Sequence, residues 1–304
     1  MKIFSKIKKN NLIKTLVQAY RSVYYPTYRY YSNKLPFKIL NAQRTIDYIV
    51  KNKVSVGRLG DGELNIMFNR RSIGFQEYTP SLSQDLRQLK NTSHFCLALP
   101  HSLQNSRDDK FLIKTFWWAY LTRNYKYFNC DFFTKNKIYL DTNFTRIVTE
   151  KKNKDFISLL LKKIDKIWEN RNVIIIEGAE TRFGVGNQLL RNTKSIKRIV
   201  VPAVNAYSKK DEIKAEAKKV IKNTLEPIVI VCLGPTATVL AYELSEDAQI
   251  LDMGHFDLQY EYLKRGFYHP VKVADRYDNE MVNGNIVADE KNKKYLSEIE
   301  VDLS

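Results

Sequence analysis

The chain of 304 residues is 44% hydrophobic and 12% aromatic, enough apolar material for one large domain or two ordinary ones and too much for a disordered chain. No uninterrupted apolar run approaches the roughly 20 residues that cross a bilayer, and the N-terminus lacks the apolar core of a secretion signal, so a cytoplasmic protein is expected. The formal charge is +17 and is unevenly placed: residues 1–46 hold ten Lys or Arg and no acid, leaving +7 for the rest.

Residues 1–38 form a basic, aromatic arm. Apolar positions fall at helical spacing (Ile3, Phe4, Ile7, then Leu12, Ile13, Leu16, Val17, Tyr20), but the stripe changes direction at Asn10-Asn11, which argues against one continuous amphipathic helix. Eight Lys or Arg within residues 1–34 and six tyrosines between 20 and 31 suit an anionic membrane surface; they also suit a nucleic-acid backbone, or an arm that is solvated or packs on a subunit. From residue 39 helix and strand patterns alternate. A helix over 40–52 leads to the strand VSVGR, an acidic loop and a helix over 62–70. A capped helix from Ser81 precedes the strand HFCLALP; residues 109–124 are helical, with Trp117 and Trp118 in the core; KIYLD at 137–141 is a strand. The second half runs helix 154–169, strand NVIIIEG, a glycine loop with a helix (ETRFGVGNQLLRN), strand KRIVVPA, helix 209–223, strand IVIVCLG, helix PTATVLAYELS and strand QILDMG. Val- and Ile-rich runs separated by helices are the pattern of a parallel sheet covered on both faces. The expected class is α/β, Rossmann-like, with a junction near 145–155 and a polar tail over 276–304.

Eight of the eleven glycines (Gly57, Gly60, Gly62, Gly178, Gly184, Gly186, Gly234 and Gly254) fall at or just after the carboxyl ends of expected strands, where open α/β sheets bind ligands. In VGRLGDGELNIMF, Asp61 and Glu63 stand two apart behind Gly60, with Arg58 just upstream. Asp-Gly between apolar residues can be a hairpin turn. The alternative is a pair of carboxylates aimed at one divalent cation, because Mg²⁺ and Mn²⁺ take oxygen ligands and paired carboxylates otherwise repel. LGPTATVLAYEL places Gly234-Pro235-Thr236 at a strand-to-helix turn, an anion site apt for a diphosphate, with Thr236 and Thr238 offering hydroxyls. GAETRFGVGN offers a second site, with Gly184 and Gly186 in the turn and Arg182 as a phosphate clamp. Neither is a GxGxxG or Walker A sequence, which disfavours dinucleotide redox and ordinary ATPase chemistry. DMGHFDLQYEY gathers Asp252, His255 and Asp257 after the last strand. His255 could complete a metal site with Asp61 and Glu63, and Asp257 or Asp252 could serve as a base; otherwise they are a helix cap beside a structural histidine. His94, His101 and His269 have no such company. Cys96, Cys130 and Cys232 are odd in number, and the first and last sit in apolar runs, as in a reducing compartment.

These segments, in this order over roughly residues 40–270, resemble the bacterial glycosyltransferases of the GT-D fold, once catalogued as a domain of unknown function, DUF1792. The resemblance implies a GT-D type domain over 39–275. It also implies metal-dependent transfer of a sugar, typically glucose from UDP-glucose, to a growing glycan, lipid-linked or protein-linked, at the inner membrane face. The family's Asp-x-Glu motif falls on Asp61 and Glu63 as the Mn²⁺ or Mg²⁺ and diphosphate site, and its glycine turns fall on Gly184, Gly186 and Gly234-Pro235-Thr236. Arg58, Gly60 and Arg182 are expected to contact the donor, and Asp257 is the candidate base. A cation between carboxylates would stabilise the charge that develops on a departing nucleoside diphosphate. The arm lies outside the resemblance. Two other classes compete: a nucleic-acid-binding protein, against which stand the near-balanced charge beyond the arm and the lack of a reader motif, and a phosphate-ester hydrolase using the same metal pair.

Overall fold

The structure, a computed structural model, describes residues 11–278, 280–288 and 292–304. Nine strands form one sheet: β1 (Lys38–Ile39), β2 (Ser55–Arg58), β3 (Phe95–Leu99), β4 (Ile138–Asp141), β5 (Asn172–Gly178), β6 (Ser195–Val201), β7 (Ile228–Cys232), β8 (Gln249–Asp252) and β9 (Ile299–Asp302). Their spatial order is β1-β4-β3-β2-β8-β7-β5-β6-β9 and every pairing is parallel. The apolar runs dictate this arrangement. Ile174, Ile176, Val229 and Val231 join the hydrophobic cluster on one face, while Val173, Ile175, Ile228 and Ile230 join that on the other, so both faces of β5 and β7 need cover.

The cover is helical: α1 (Asn11–Ser22), α2 (Tyr25–Lys34), α3 (Ala42–Asn52), α4 (Asp61–Asn69), α5 (Pro80–Gln88), α6 (Phe111–Phe128), α7 (Ile147–Glu150), α8 (Lys154–Ile164), α9 (Lys210–Lys222), α10 (Pro235–Glu243), α11 (Phe256–Lys264) and α12 (Lys293–Glu298). Residues of α4, α5, α6, α9 and α10 fill the first cluster, and those of α3, α7, α8 and α11 the second. No helix among the described residues is long and apolar enough to cross a membrane.

Three sequence expectations change. The segment ETRFGVGNQLLRN is not a helix but a series of turns, because Arg182, Gly184 and Gly186 all take positive φ and the buried Phe183, Leu189 and Leu190 pin the loop to the core. The polar stretch after 276 ends in structure: Glu298 pairs with the buried Arg198 at 2.8 Å, and β9 extends the sheet beside β6. The arm, over its described residues, is a packing element. Helices α1 and α2, broken at Val23-Tyr24, lie on α6, with Tyr31 stacked on Tyr125 at 4.1 Å and Arg21 over the Phe116 ring at 5.4 Å. Tyr28, Leu35 and Phe37 enter the core itself. The apolar stripe over residues 1–10 lies outside the described residues.

Candidate functional site

From β2 the chain moves outward to β3 and β4; from β5 it goes outward to β6 and then returns through β7 to β8, beside β2. The direction therefore reverses at β2–β8, and open parallel sheets hold ligands at such a point, beyond the strand ends. A narrow cleft lies there, with Gly178, Cys232, Gly234, His255, Asp257 and Phe75 among the residues of its wall.

Two helices begin at this edge. After β2, Gly60 is the N-cap of α4, and Asp61 and Glu63 occupy its first turn; Glu63 Oε2 accepts from the Gly60 N–H at 2.8 Å. The Asp-Gly pair is thus a helix start and not a hairpin. Its capping box fixes Glu63 with one oxygen engaged, while Asp61 stays open to solvent. Burial, and then the charge of Asp252, push the Glu63 carboxyl up to about 7. Partial loss of water also raises Asp61, against the pull of Arg146. After β7, Gly234 caps α10 with Pro235 in the first turn, and its φ of +55° is one that L side chains avoid. A Cβ there would overlap the Phe75 ring.

The two starts are tied together by a buried lattice. Arg58 donates from Nη2 to Asp252 Oδ1 at 2.9 Å and from Nη1 to Thr145 at 2.8 Å. The Thr238 hydroxyl donates to the Arg58 carbonyl at 2.8 Å and sits 3.0 Å from Asp252 Oδ2. Gly254, at φ +48°, leaves room for the guanidinium, which a Cβ would strike. Arg58, expected to contact the donor, is therefore committed to the lattice that sets β2 against β8. Thr238 and Asp252 belong to the same lattice.

Other expected site residues are placed differently. Asp257 lines the cleft, but both its oxygens are taken. Oδ1 accepts from Gly184 N and Asn187 Nδ2, each at 2.8 Å, and Oδ2 pairs with the buried Arg276 Nε at 2.6 Å. Gly184 and Gly186 thus belong to a turn held by Asp257 and Arg276, with no helix N-terminus behind it. Arg182 is buried and donates to the Asp275 carbonyl at 3.2 Å. The Thr236 hydroxyl is buried and lies 3.5 Å from Gln76 Oε1. His255 flanks Phe75 at 6.4 Å between ring centroids, and burial lowers its pKa and favours the neutral ring. Among the described residues no three His, Cys, Asp or Glu side chains are grouped as a metal site, so His255 does not join Asp61 and Glu63 in one.

Sequence reasoning missed Phe75 and Gln76, which come from the loop after α4 and close over the Gly234 turn, and Tyr277 on the far wall. It also missed Tyr120, whose buried hydroxyl has no hydrogen-bond partner among the described residues and is pushed up by burial and then by the charges of Asp61 and Glu63. No local motif marks these positions.

Fold and site together define a Rossmann-like parallel-sheet protein with a ligand crevice at its switch point. A profile of the family "Glycosyltransferase GT-D fold" matches residues 56–281. Over 248 residues the chain is 31% identical to the probable glycosyl transferase Gly of Streptococcus gordonii, covering 80% of this chain and 35% of that one. Over 271 residues it is 31% identical to glycosyltransferase GlyD of Streptococcus pneumoniae, covering 83% and 32%. It thus spans about a third of the length of these relatives. A solved structure of the domain of unknown function 1792, described as having a distinct glycosyltransferase fold, superposes with a TM-score of 0.84 at 28% identity, covering 92% of this chain and all of that one. A glycosyltransferase (DUF1792) from Streptococcus sanguinis superposes at 0.78, also at 28% identity, covering 88% of this chain and 100% of that one. The chain belongs to the GT-D fold glycosyltransferase family.

Proposed function

We propose that the protein transfers a hexose, glucose first among the candidates, from a UDP-sugar to a growing cell-surface or glycoprotein glycan, working at the inner membrane face. The observation that carries this reading is that two helix N-termini, those of α4 and α10, start at the same carboxyl edge of the sheet, after β2 and β7 on either side of β8, with paired carboxylates on the first and a positive-φ glycine turn in the cleft wall on the second. Backbone N–H groups at both starts suit the diphosphate.

Asp61 and Glu63 fit a hard divalent cation such as Mn²⁺ or Mg²⁺. They are oxygen donors, both raised by partial burial, and with no third ligand grouped beside them among the described residues the diphosphate and water would complete the shell. Such an ion, when bound, supplies positive charge against the leaving diphosphate. In the transfer the acceptor oxygen bonds the anomeric carbon, the anomeric C–O bond to phosphate breaks, its electron pair leaves on the nucleoside diphosphate, and the acceptor hydroxyl's proton passes to water in the cleft. Asp61 and Glu63 orient the diphosphate, and the Arg58–Asp252–Thr238 lattice holds β2 and β8 in register beneath it. Asp257, both oxygens occupied, holds the Gly184–Asn187 turn rather than taking the proton.

The test is a panel of nucleotide sugars in thermal shift with and without Mn²⁺, followed by turnover. The true donor raises the melting temperature by mass action. Asp61→Asn and Glu63→Gln each lower turnover on the order of a hundredfold or more while the fold persists. Unchanged turnover in both variants at saturating Mn²⁺ removes the carboxylate pair from the site. Release of UDP at the same rate without acceptor would favour a hydrolase.

A further inference from the structure

Helix α6 turns one side toward the carboxylates and another toward a separate groove. Tyr120 faces the field of Asp61 and Glu63. Trp118, two residues earlier and so about 200° away around the helix, lines a groove of about 910 Å³ with Tyr25, Tyr28, Arg29, Arg107 and Lys114. Trp118 is therefore a groove residue and not, as its sequence context suggests, wholly core. Its Nε1 donates to Ser106 at 2.9 Å and its ring lies 4.7 Å from that of Tyr25, so the groove is built and not a gap between loose side chains. Arg29, Arg107 and Lys114 form no ion pair among the described residues. Asp108, exposed beside Arg107, does not line the groove. Tyr25 of the groove wall is 45% exposed and Phe111, whose ring lies 6.2 Å from that of Trp118, is 53% exposed; their chain neighbours Val23 and Leu112 are 66% and 46% exposed.

We infer that this face docks on an anionic phospholipid surface, the three cations taking lipid phosphates while Val23, Tyr25, Phe111 and Leu112 enter the headgroup layer. Charge complementarity points to that occupant, since the first 46 residues contain no acid. The exposed apolar rim separates it from a soluble phosphorylated ligand, which has no use for such a rim. On α6 Trp118 of the groove and Tyr120, whose hydroxyl is raised in part by the charges of Asp61 and Glu63, project from opposite sides. This inference deepens the inner-membrane-face placement of the proposed function and rests on that reading; lipid binding is measured without donor or acceptor, so the two fail separately.

The test is sedimentation of the full chain with vesicles of phosphatidylglycerol and phosphatidylcholine in equal parts, and with phosphatidylcholine alone. The wild-type protein should partition onto the first and not the second. The triple variant Arg29→Gln/Arg107→Gln/Lys114→Gln should lose on the order of a hundredfold in partitioning, about fivefold per cation, with its melting temperature and its stabilisation by nucleotide sugar unchanged. Val23→Ser/Leu112→Ser, which touches no charge, should also weaken binding, and it carries the test if the triple variant unfolds. Wild-type partitioning by the triple variant overturns the inference, as does failure of the wild-type protein to bind anionic vesicles. Competition by inorganic phosphate with no loss in Val23→Ser/Leu112→Ser would make the groove a soluble-phosphate site instead.

Discussion

Gly234 turns the chain from β7 into α10, and nothing larger fits. Its backbone, at φ +55° and ψ −135°, costs any other residue on the order of 1–3 kcal/mol, and any Cβ meets the Phe75 ring. If the turn cradles the diphosphate as proposed, Gly234→Val should weaken UDP binding far more than it weakens binding of free uridine. Equal losses by calorimetry would move the diphosphate elsewhere. Glu63 makes a separate prediction about pH. Its carboxyl is raised from an ordinary value of 4.5 to about 7, so the folded protein holds a proton there that the unfolded chain has released. Its contribution to stability is fully present below about pH 4.5 and is lost as pH rises through about 7. In urea unfolding of the metal-free protein, Glu63→Gln should flatten that fall; an identical pH profile in wild type and variant would show that Glu63 titrates normally.

At the scale of elements, the described part of the arm is held by what it buries. Tyr28 is buried and donates to the Ser102 carbonyl at 2.9 Å, and burial pushes its hydroxyl up to about 12. Tyr28→Ala should cost roughly 3 kcal/mol or more, and Tyr28→Phe only the hydrogen bond, about 1 kcal/mol. Removing residues 1–34 should lower the melting temperature of the catalytic domain; a truncated protein that melts like the intact one would make the arm an appendage. The strands were legible from sequence wherever both faces are buried, as in IVIVC and VIIIEG, because continuous Val/Ile runs suit little else. Strand β9 was not, since IEVD on the sheet edge is only half-covered and sits among polar residues, and β1 is two residues long. The turns over 180–192 read as a loop and helix because nothing local reveals that Asp257, some 70 residues later, supplies their hydrogen bonds.

For the whole molecule, the Asp61–Glu63 pair and the Gly234 turn could be found from sequence because each is a local pattern at a strand end. The lattice joining them could not, because Arg58 and Asp252 lie 194 positions apart and meet only when β8 enters the sheet beside β2. That pairing places the two helix starts at one edge of the sheet, on either side of β8. The most direct measurement is hydrogen exchange on the full chain with and without the nucleotide sugar that stabilises it. The account predicts slowed exchange at the amides of 60–64 and 234–238, at the starts of α4 and α10, with little change over 184–191. Protection confined to 184–191, or absent from 234–238, would contradict it.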